Sequence, residues 1–358
     1  MPRVVLNEPA KPIYHSPQTP GYTAWCALWR EPKGELRLSF QQVTGPVEDW
    51  AKRKNVTVIV GSADEGTTWK PVRQVPARTS AASEGDKIYA APGSSSFCGH
   101  GLTALPGGTL VTGLWPSGQD KSGYIQRSTD EGLTWSAPIY FRDPEMYKSY
   151  PTQVHRLRDG RLVLVAGTVK QADATTAKFL LKEFFESRDD GKTWSHIWTM
   201  PADVGLCEES DFVELDNEAK GGGDLLFIHR AEHYDGNKYI SSDRLQNIFR
   251  RKGDTWEIGP VHKVPMPHSG FPELLKMGDG SILHIATDGV WHTGPDLHTW
   301  TRLDLPGSPY YPRAAQLKDG RVLVVGHVGG DDEYGKVDQT IVGQIFKLEV
   351  PGSQSGSK

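Results

Sequence analysis

One motif, Ser-x-Asp-x-Gly-x-Thr-Trp, is written three times in this chain, at Ser62–Trp69, Ser128–Trp135 and Ser187–Trp194. Each copy follows a β-rich run (Val56–Val60, Tyr124–Gln126, Phe184–Phe185) and precedes another extended run, so each reads as a hairpin turn. The residue types suit a turn, because Asp bonds the amides of its own loop, Gly takes a positive φ, and Trp fastens the hairpin to its neighbour. Two shortened copies, Gly253–Trp256 and Asp296–Trp300, end in the same Trp. A chain punctuated in this way is a repeat protein.

A second punctuation alternates with the first: an apolar run, a Gly turn, and another apolar run. Its six copies centre on Gly34, Gly108, Gly160, Gly223, Gly280 and Gly320. A short extended piece follows each Trp, as in Ser136–Tyr140, which supplies only five outer strands. The sixth lies at the other end of the chain, where Ala10–Tyr14 repeats the pattern of Ser136–Tyr140. The expected fold is therefore all-β: a six-bladed β-propeller of four-stranded antiparallel blades, closed by the N-terminal strand beside Thr340–Leu348. Residues 1–350 are expected to form this single domain, and the Gly/Ser-rich stretch 351–358 a disordered tail.

At 358 residues the chain exceeds the usual single-core size, but a propeller divides its core among blades. The net charge of −4 and the absence of a basic run argue against a nucleic-acid or membrane surface. No stretch of about 20 apolar residues is present, and Met1 opens no charged and apolar leader. The expectation is a monomer, either cytoplasmic, or secreted or periplasmic after removal of a signal peptide. Cys26, Cys98 and Cys207 recur at the starts of inner strands and are expected to be buried thiols facing the channel; no metal or cofactor is expected.

Alternation along the hairpins brings the starts of inner strands and the ends of second strands to one mouth of the channel, where ligands gather. Inner-strand starts contribute Trp25, His100, Tyr150, Gln153, Glu208, Glu209, Asp211, Glu273, Tyr310, Tyr311 and Arg313. Second-strand ends contribute Gln42, Trp115, Lys170, His229, Arg230, Glu232, His233, Asp288 and His327. Of the adjacent pair Glu208 and Glu209, only one can face the channel while the other faces a neighbouring blade. Glu273 and Arg313 could form a structural ion pair, or Arg313 could grip a substrate carboxylate in a bidentate fork. Arg230 carries the same ambiguity.

Three clean boxes, six blades and N-terminal closure resemble the sialidase superfamily, the Asp-box or BNR-repeat propellers, over essentially the whole chain. In that superfamily the boxes lie on the face opposite the active site, which implies that Asp64, Asp130 and Asp189 only hold turns. Sialidases bind the carboxylate of their sugar with three arginines, use a Tyr–Glu pair as nucleophile and an Asp as acid/base. Here blade one offers Trp25–Arg30, with Arg30 at the far end of its strand, so only Arg230 and Arg313 remain as carboxylate binders. The resemblance implies a sialidase-like glycoside hydrolase acting at the central mouth on a terminal sugar that could be acidic. Glu273, His100, Glu208, Glu209 and Tyr311 are the catalytic candidates; Arg313, Arg230, Trp25, Trp115, Tyr150, Gln153, Lys170, His229, Asp288 and His327 are the binding candidates. The alternatives are a polysaccharide lyase or histidine-dependent glycosidase on uronate-containing glycans, and a non-catalytic carbohydrate-binding propeller.

Overall fold

The computed structural model describes residues 2–49, 52–76, 102–116, 120–174, 180–216, 223–267, 270–329 and 335–349. His100, Cys98 and the stretch 351–358 lie outside the described residues. Six antiparallel sheets follow one another along the chain. Blade one is Tyr22–Arg30, Leu36–Thr44, Lys54–Ser62 and Lys70–Pro76. Blade two is Thr103–Ala104, Leu110–Leu114 and Tyr124–Ser128, with Ile139 bridging Ile125 in the fourth position. Blade three is Tyr147–Arg156, Leu162–Lys170, Leu181–Ser187 and Ser195–Thr199. Blade four is Ser210–Glu214, Leu225–Asp235, Lys238–Lys252 and Thr255–Ile258, with His262–Lys263 also on its third strand. Blade five is Glu273–Lys276, Ile282–Ala286, Gly289–Thr293 and Trp300–Arg302. Blade six is Tyr310–Gln316, Val322–Val328 and Thr340–Glu349. Each inner strand touches the inner strand of the next blade, and that of blade six touches blade one, so the ring is closed.

The N-terminus supplies the missing edge of blade six, as the sequence pattern predicts. Lys11 lies opposite Gly343 and His15 opposite Thr340, while Arg3–Asn7 continues the same edge against Phe346–Glu349. Two N-terminal strands share the work assigned to one.

A blade covered on both faces needs apolar side chains in both directions, which explains the continuous run Leu162–Ala166, buried throughout. The cores lie between blades. Leu36, Leu38 and Phe40 of blade one pack against Leu323, Val325 and Ile341 of blade six, each such burial contributing roughly 1.5–3 kcal/mol. Cys26 belongs to this inter-blade core rather than to the channel, a correction to its expected orientation.

The three repeated turns show the expected chemistry. Ser128 Oγ donates to Asp130 Oδ1 at 2.7 Å, Thr134 N to the same oxygen at 2.8 Å, and Thr134 Oγ1 to Asp130 Oδ2 at 2.6 Å. Glu131 and Gly132 take φ of 55° and 84°, which turn the chain back. The ring of Trp69 packs on the core shared with blade six, Trp135 on that with blade one and Trp194 on that with blade two. Each turn therefore fastens its blade to the preceding one, at the end of the third strand and away from the mouth.

Candidate active site at the mouth of the channel

Hairpin register sets the mouth: Tyr147 lies opposite Lys170, Ser210 opposite His229, and Tyr310 opposite His327. Backbone strain also occurs at this level. Seven described residues other than glycine have positive φ, and four of them sit in the turns after third strands. The other three are Trp25 (54°), Cys207 (90°) and Tyr311 (47°), at the entries of blades one, four and six. Register shifts at Ala24–Ala27 and Tyr310–Arg313 make Trp25 and Tyr311 bulged residues. Bulges re-aim side chains, and strain of this kind costs on the order of 1–3 kcal/mol per residue, so it persists only where the surroundings enforce it.

Glu209 is the hub of the mouth. Arg230 Nη1 donates to Glu209 Oε2 at 2.9 Å, and Arg230 Nη2 to Glu232 Oε1 at 2.6 Å. Tyr234 OH donates to the other Glu232 oxygen at 2.6 Å. From blade six, past blade five, Tyr311 OH donates to Glu209 Oε1 at 3.4 Å. Beneath them Lys182, fully buried on the third strand of blade three, donates to the main-chain oxygens of Glu209 at 3.2 Å and Arg230 at 2.8 Å. Arg244, also fully buried, donates to Gly270 O at 2.5 Å and feels the charges of Glu209 and Asp288.

Glu208 leans to the blade-three side of the mouth, as the alternation argument requires, and stays half-buried there. A Cβ on Gly167 would come within 2.7 Å of Glu208 Cβ, so the bare backbone at Gly167 is what admits the glutamate. Burial, then the neighbouring Glu209, pushes the Glu208 carboxyl up to about 7. Burial, then Glu208, pushes the Tyr150 phenol up to about 12. The Tyr150 ring meets Trp115 edge-on at 5.2 Å, and Trp115 Nε1 donates to Pro151 O at 3.0 Å. Two adjacent carboxyls thus occupy unlike environments, one paired with a guanidinium and one inclined to keep its proton, the arrangement that separates acid from base.

Deeper in the channel is an ionic layer. Glu273 pairs with Arg313 through one oxygen and accepts the Ala314 N–H at 2.7 Å through the other. Burial, then the nearby Asp211, pushes the Glu273 carboxyl well above its usual range, while burial pulls Arg313 down to about 9. Asp211 makes the same kind of stitch one blade earlier, accepting Leu274 N at 2.6 Å, His155 Nε2 at 2.8 Å and a short bond from Gln153. Glu273 and Arg313 meet as the sequence allows, in the form of an inter-blade clip made through Arg313 Nη1. A cavity of about 310 Å³ runs along this layer, lined by both residues with His155, Phe212, Glu214 and Lys276.

Among the remaining candidates, His229 is fully buried, with Ser210 Oγ at 2.9 Å on one ring nitrogen and Asn247 Oδ1 at 3.0 Å on the other. His327 is buried between the rings of Tyr310 and Tyr311, at 5.8 and 6.1 Å. Trp25 is 3% exposed and packs edge-on to Tyr22, which leaves no open ring face for a sugar. Lys170 is exposed at the rim, Asp288 is half-buried near Arg244, Gln42 accepts the Tyr14 hydroxyl, and His233 pairs with Asp243 at 3.2 Å. Lys182, Arg244 and Tyr234 are not among the candidates that strand positions select. The first two lie on third strands, where only the fold shows which residues turn inward.

No protein-family model matches this chain, and no curated protein matches it in sequence. Similar structures do exist. A protein of unknown function from Dyadobacter fermentans aligns with a TM-score of 0.66 at 19% identity, covering 97% of this chain and 99% of that one. An α-L-arabinofuranosidase from Fusarium graminearum, complexed with an iminosugar inhibitor, aligns at 0.64 and 13% identity over 95% and 97%. An intramolecular trans-sialidase from Ruminococcus gnavus, complexed with oseltamivir carboxylate, aligns at 0.59 and 14% identity over 94% and 96%. The chain has the six-bladed propeller fold that sialidases and arabinose-directed glycosidases share.

Proposed function

We propose that the protein is a glycoside hydrolase whose chemistry sits at Glu208, Glu209 and Tyr311, acting on a neutral terminal sugar. The observation that carries this reading is the Tyr311–Glu209–Arg230 contact set beside a protonatable Glu208. In the first step the Tyr311 oxygen attacks the anomeric carbon while its proton passes to Glu209. Glu208 gives its proton to the departing glycosidic oxygen, and the bond from that oxygen to the anomeric carbon breaks. In the second step Glu208 takes a proton from water, whose oxygen displaces Tyr311; the phenolate recovers its proton from Glu209. Arg230 holds the Glu209 carboxylate in place.

The commitments of the arginines support a neutral sugar. Arg230 uses both terminal nitrogens on Glu209 and Glu232, and Arg313 is paired with Glu273. An anionic sugar would have to displace Glu209 or Glu232 from Arg230, and displacing Glu209 would disrupt the pair that activates Tyr311. The same commitments weaken the lyase reading, which needs a cation to neutralise the uronate.

The test is a panel of aryl glycosides of neutral pentoses and hexoses, aryl sialosides and uronate polymers, with absorbance for unsaturated ends, run on the parent protein and on Glu209→Gln. Turnover of a neutral glycoside that Glu209→Gln abolishes supports the reading. Release of unsaturated products, or a Glu209→Gln variant as active as the parent, sinks it.

A further inference from the structure

We propose that Lys182 is the positioning residue of this mouth: its ammonium fixes the main chains that carry Glu209 and Arg230 and sets the charge felt by Glu208 and Glu209. The inference rests on the glycosidase reading of the same site.

A lysine buried on a central strand is costly unless its charge is used, and the surface alternative is always open to a long flexible side chain. Lys182 has no exposed surface. Among the described residues its Nζ reaches no carboxylate; it bonds instead to two main-chain oxygens, Glu209 O and Arg230 O. Those two residues are already tied to each other, since Arg230 N donates to Glu209 O at 3.0 Å. One cation from blade three therefore locks together the entry of blade four's inner strand and the end of its second strand, and these carry the two partners of the central ion pair. Such a lock fixes the angle at which Glu209 meets Tyr311.

The charge acts as well. Facing Lys182 are Cys207, Glu208 and Glu209 from the entry to blade four, His229 from its second strand and Arg244 from its third. Burial pulls the Lys182 ammonium down to about 8, against the opposing pull of Cys207, Glu208 and Glu209. Its positive charge favours the ionised form of Glu208, so removal of that charge should raise the Glu208 carboxyl further. A lysine serving only as a packing group would leave that titration untouched.

The experiment compares the parent protein with Lys182→Met and Lys182→Arg, following the labelled Glu208 carboxyl by NMR across pH, with the signal assigned through Glu208→Gln. In Lys182→Met the Glu208 midpoint should move upward from about 7, and Lys182→Arg should restore it toward the parent value. On a neutral aryl glycoside, kcat of Lys182→Met should fall about ten- to a hundredfold with KM changed much less, because the chemistry is misaligned rather than the sugar released. If Lys182→Met does not fold, the parent carries the test: its Glu208 signal should show a second, smaller step near pH 8 as Lys182 loses its proton. An unmoved Glu208 midpoint in the Met variant, or no second step in the parent, overturns the assignment of Lys182. Failure of the glycosidase reading shows up separately, as a Glu209→Gln variant that retains parental activity.

Discussion

The phenol of Tyr311 and the carboxylate of Glu209 meet at 3.4 Å although 102 residues separate them in sequence. The contact crosses the channel from blade six to blade four, and the backbone of Tyr311 adopts a left-handed conformation to make it. Local propensity works against that conformation, so the fold holds the tyrosine where its hydroxyl points at the Glu209 oxygen.

Tyr311→Phe removes the oxygen and keeps the ring that stacks on His327. Turnover on a neutral aryl glycoside should drop by ~10²-fold or more, with near-ultraviolet circular dichroism unchanged. Activity at the parental rate would exclude Tyr311 from the chemistry.

Glu208 dictates a pH signature. Its folded-state carboxyl lies near 7 against an ordinary value of 4.5, so the folded protein binds this proton more tightly than the unfolded chain. The resulting stability is fully present below 4.5 and is lost as the pH rises through 7. Activity should fall over the same upper limit as the acid loses its proton. In Glu208→Gln the stability slope across this window should flatten, a result that thermal melts at stepped pH would reveal. Retention of the parental slope would mean that another group is titrating.

Glu273 and Arg313 give the opposite expectation. Glu273→Ala strands a buried guanidinium and should destabilise the fold by about 3–5 kcal/mol in urea titration, while activity per folded molecule stays at the parental level. Lost turnover at unchanged stability would move Glu273 from the clip to the chemistry.

The repeated turns should fail in acid. Hydrogen bonds from the Thr134 side chain and backbone and from Ser128 hold Asp130 down to about 2, against 3.8 ordinarily. Its contribution is present above 3.8 and is lost as the pH falls toward 2. Asp130→Asn should therefore lower the melting temperature at neutral pH and shrink the further drop in acid, without affecting turnover. A variant that melts like the parent at every pH would show that the turn does not depend on this carboxylate.

Deleting residues 1–16 exposes the edge of Thr340–Glu349 and removes the Ile13 and Tyr14 packing on the core between blades six and one. The melting temperature should fall sharply and aggregation should rise. An unaltered melt would show that the strand is dispensable to closure.

The architecture could be read from residues because turn chemistry is local: Ser, Asp, Gly and Thr within one octapeptide make the bonds that close their hairpin. Closure by Ala10–Tyr14 could be read because an outer strand repeats the pattern of its fellows. The site was only partly legible. Glu208, Glu209, Arg230 and Tyr311 stand where strand ends meet the mouth, so counting hairpins finds them. Lys182 sits in Leu180–Phe185 like any polar residue on an amphipathic strand, and nothing local shows that its ammonium reaches two carbonyls in the next blade. Glu273 and Arg313 lie on the right strands, yet bond partners rather than strand positions separate a clip from a reactive group.

Blade six is assembled from Lys11–His15 and Thr340–Glu349. During synthesis the first of these segments emerges almost the whole length of the chain before its partner. A ribosome carrying five finished blades still holds an open ring, with the faces of blades one and five that await blade six wet and adhesive. The protein should thus depend on the time between completing blade five and releasing the last strand, and slowing translation over that interval should favour clumping over folding.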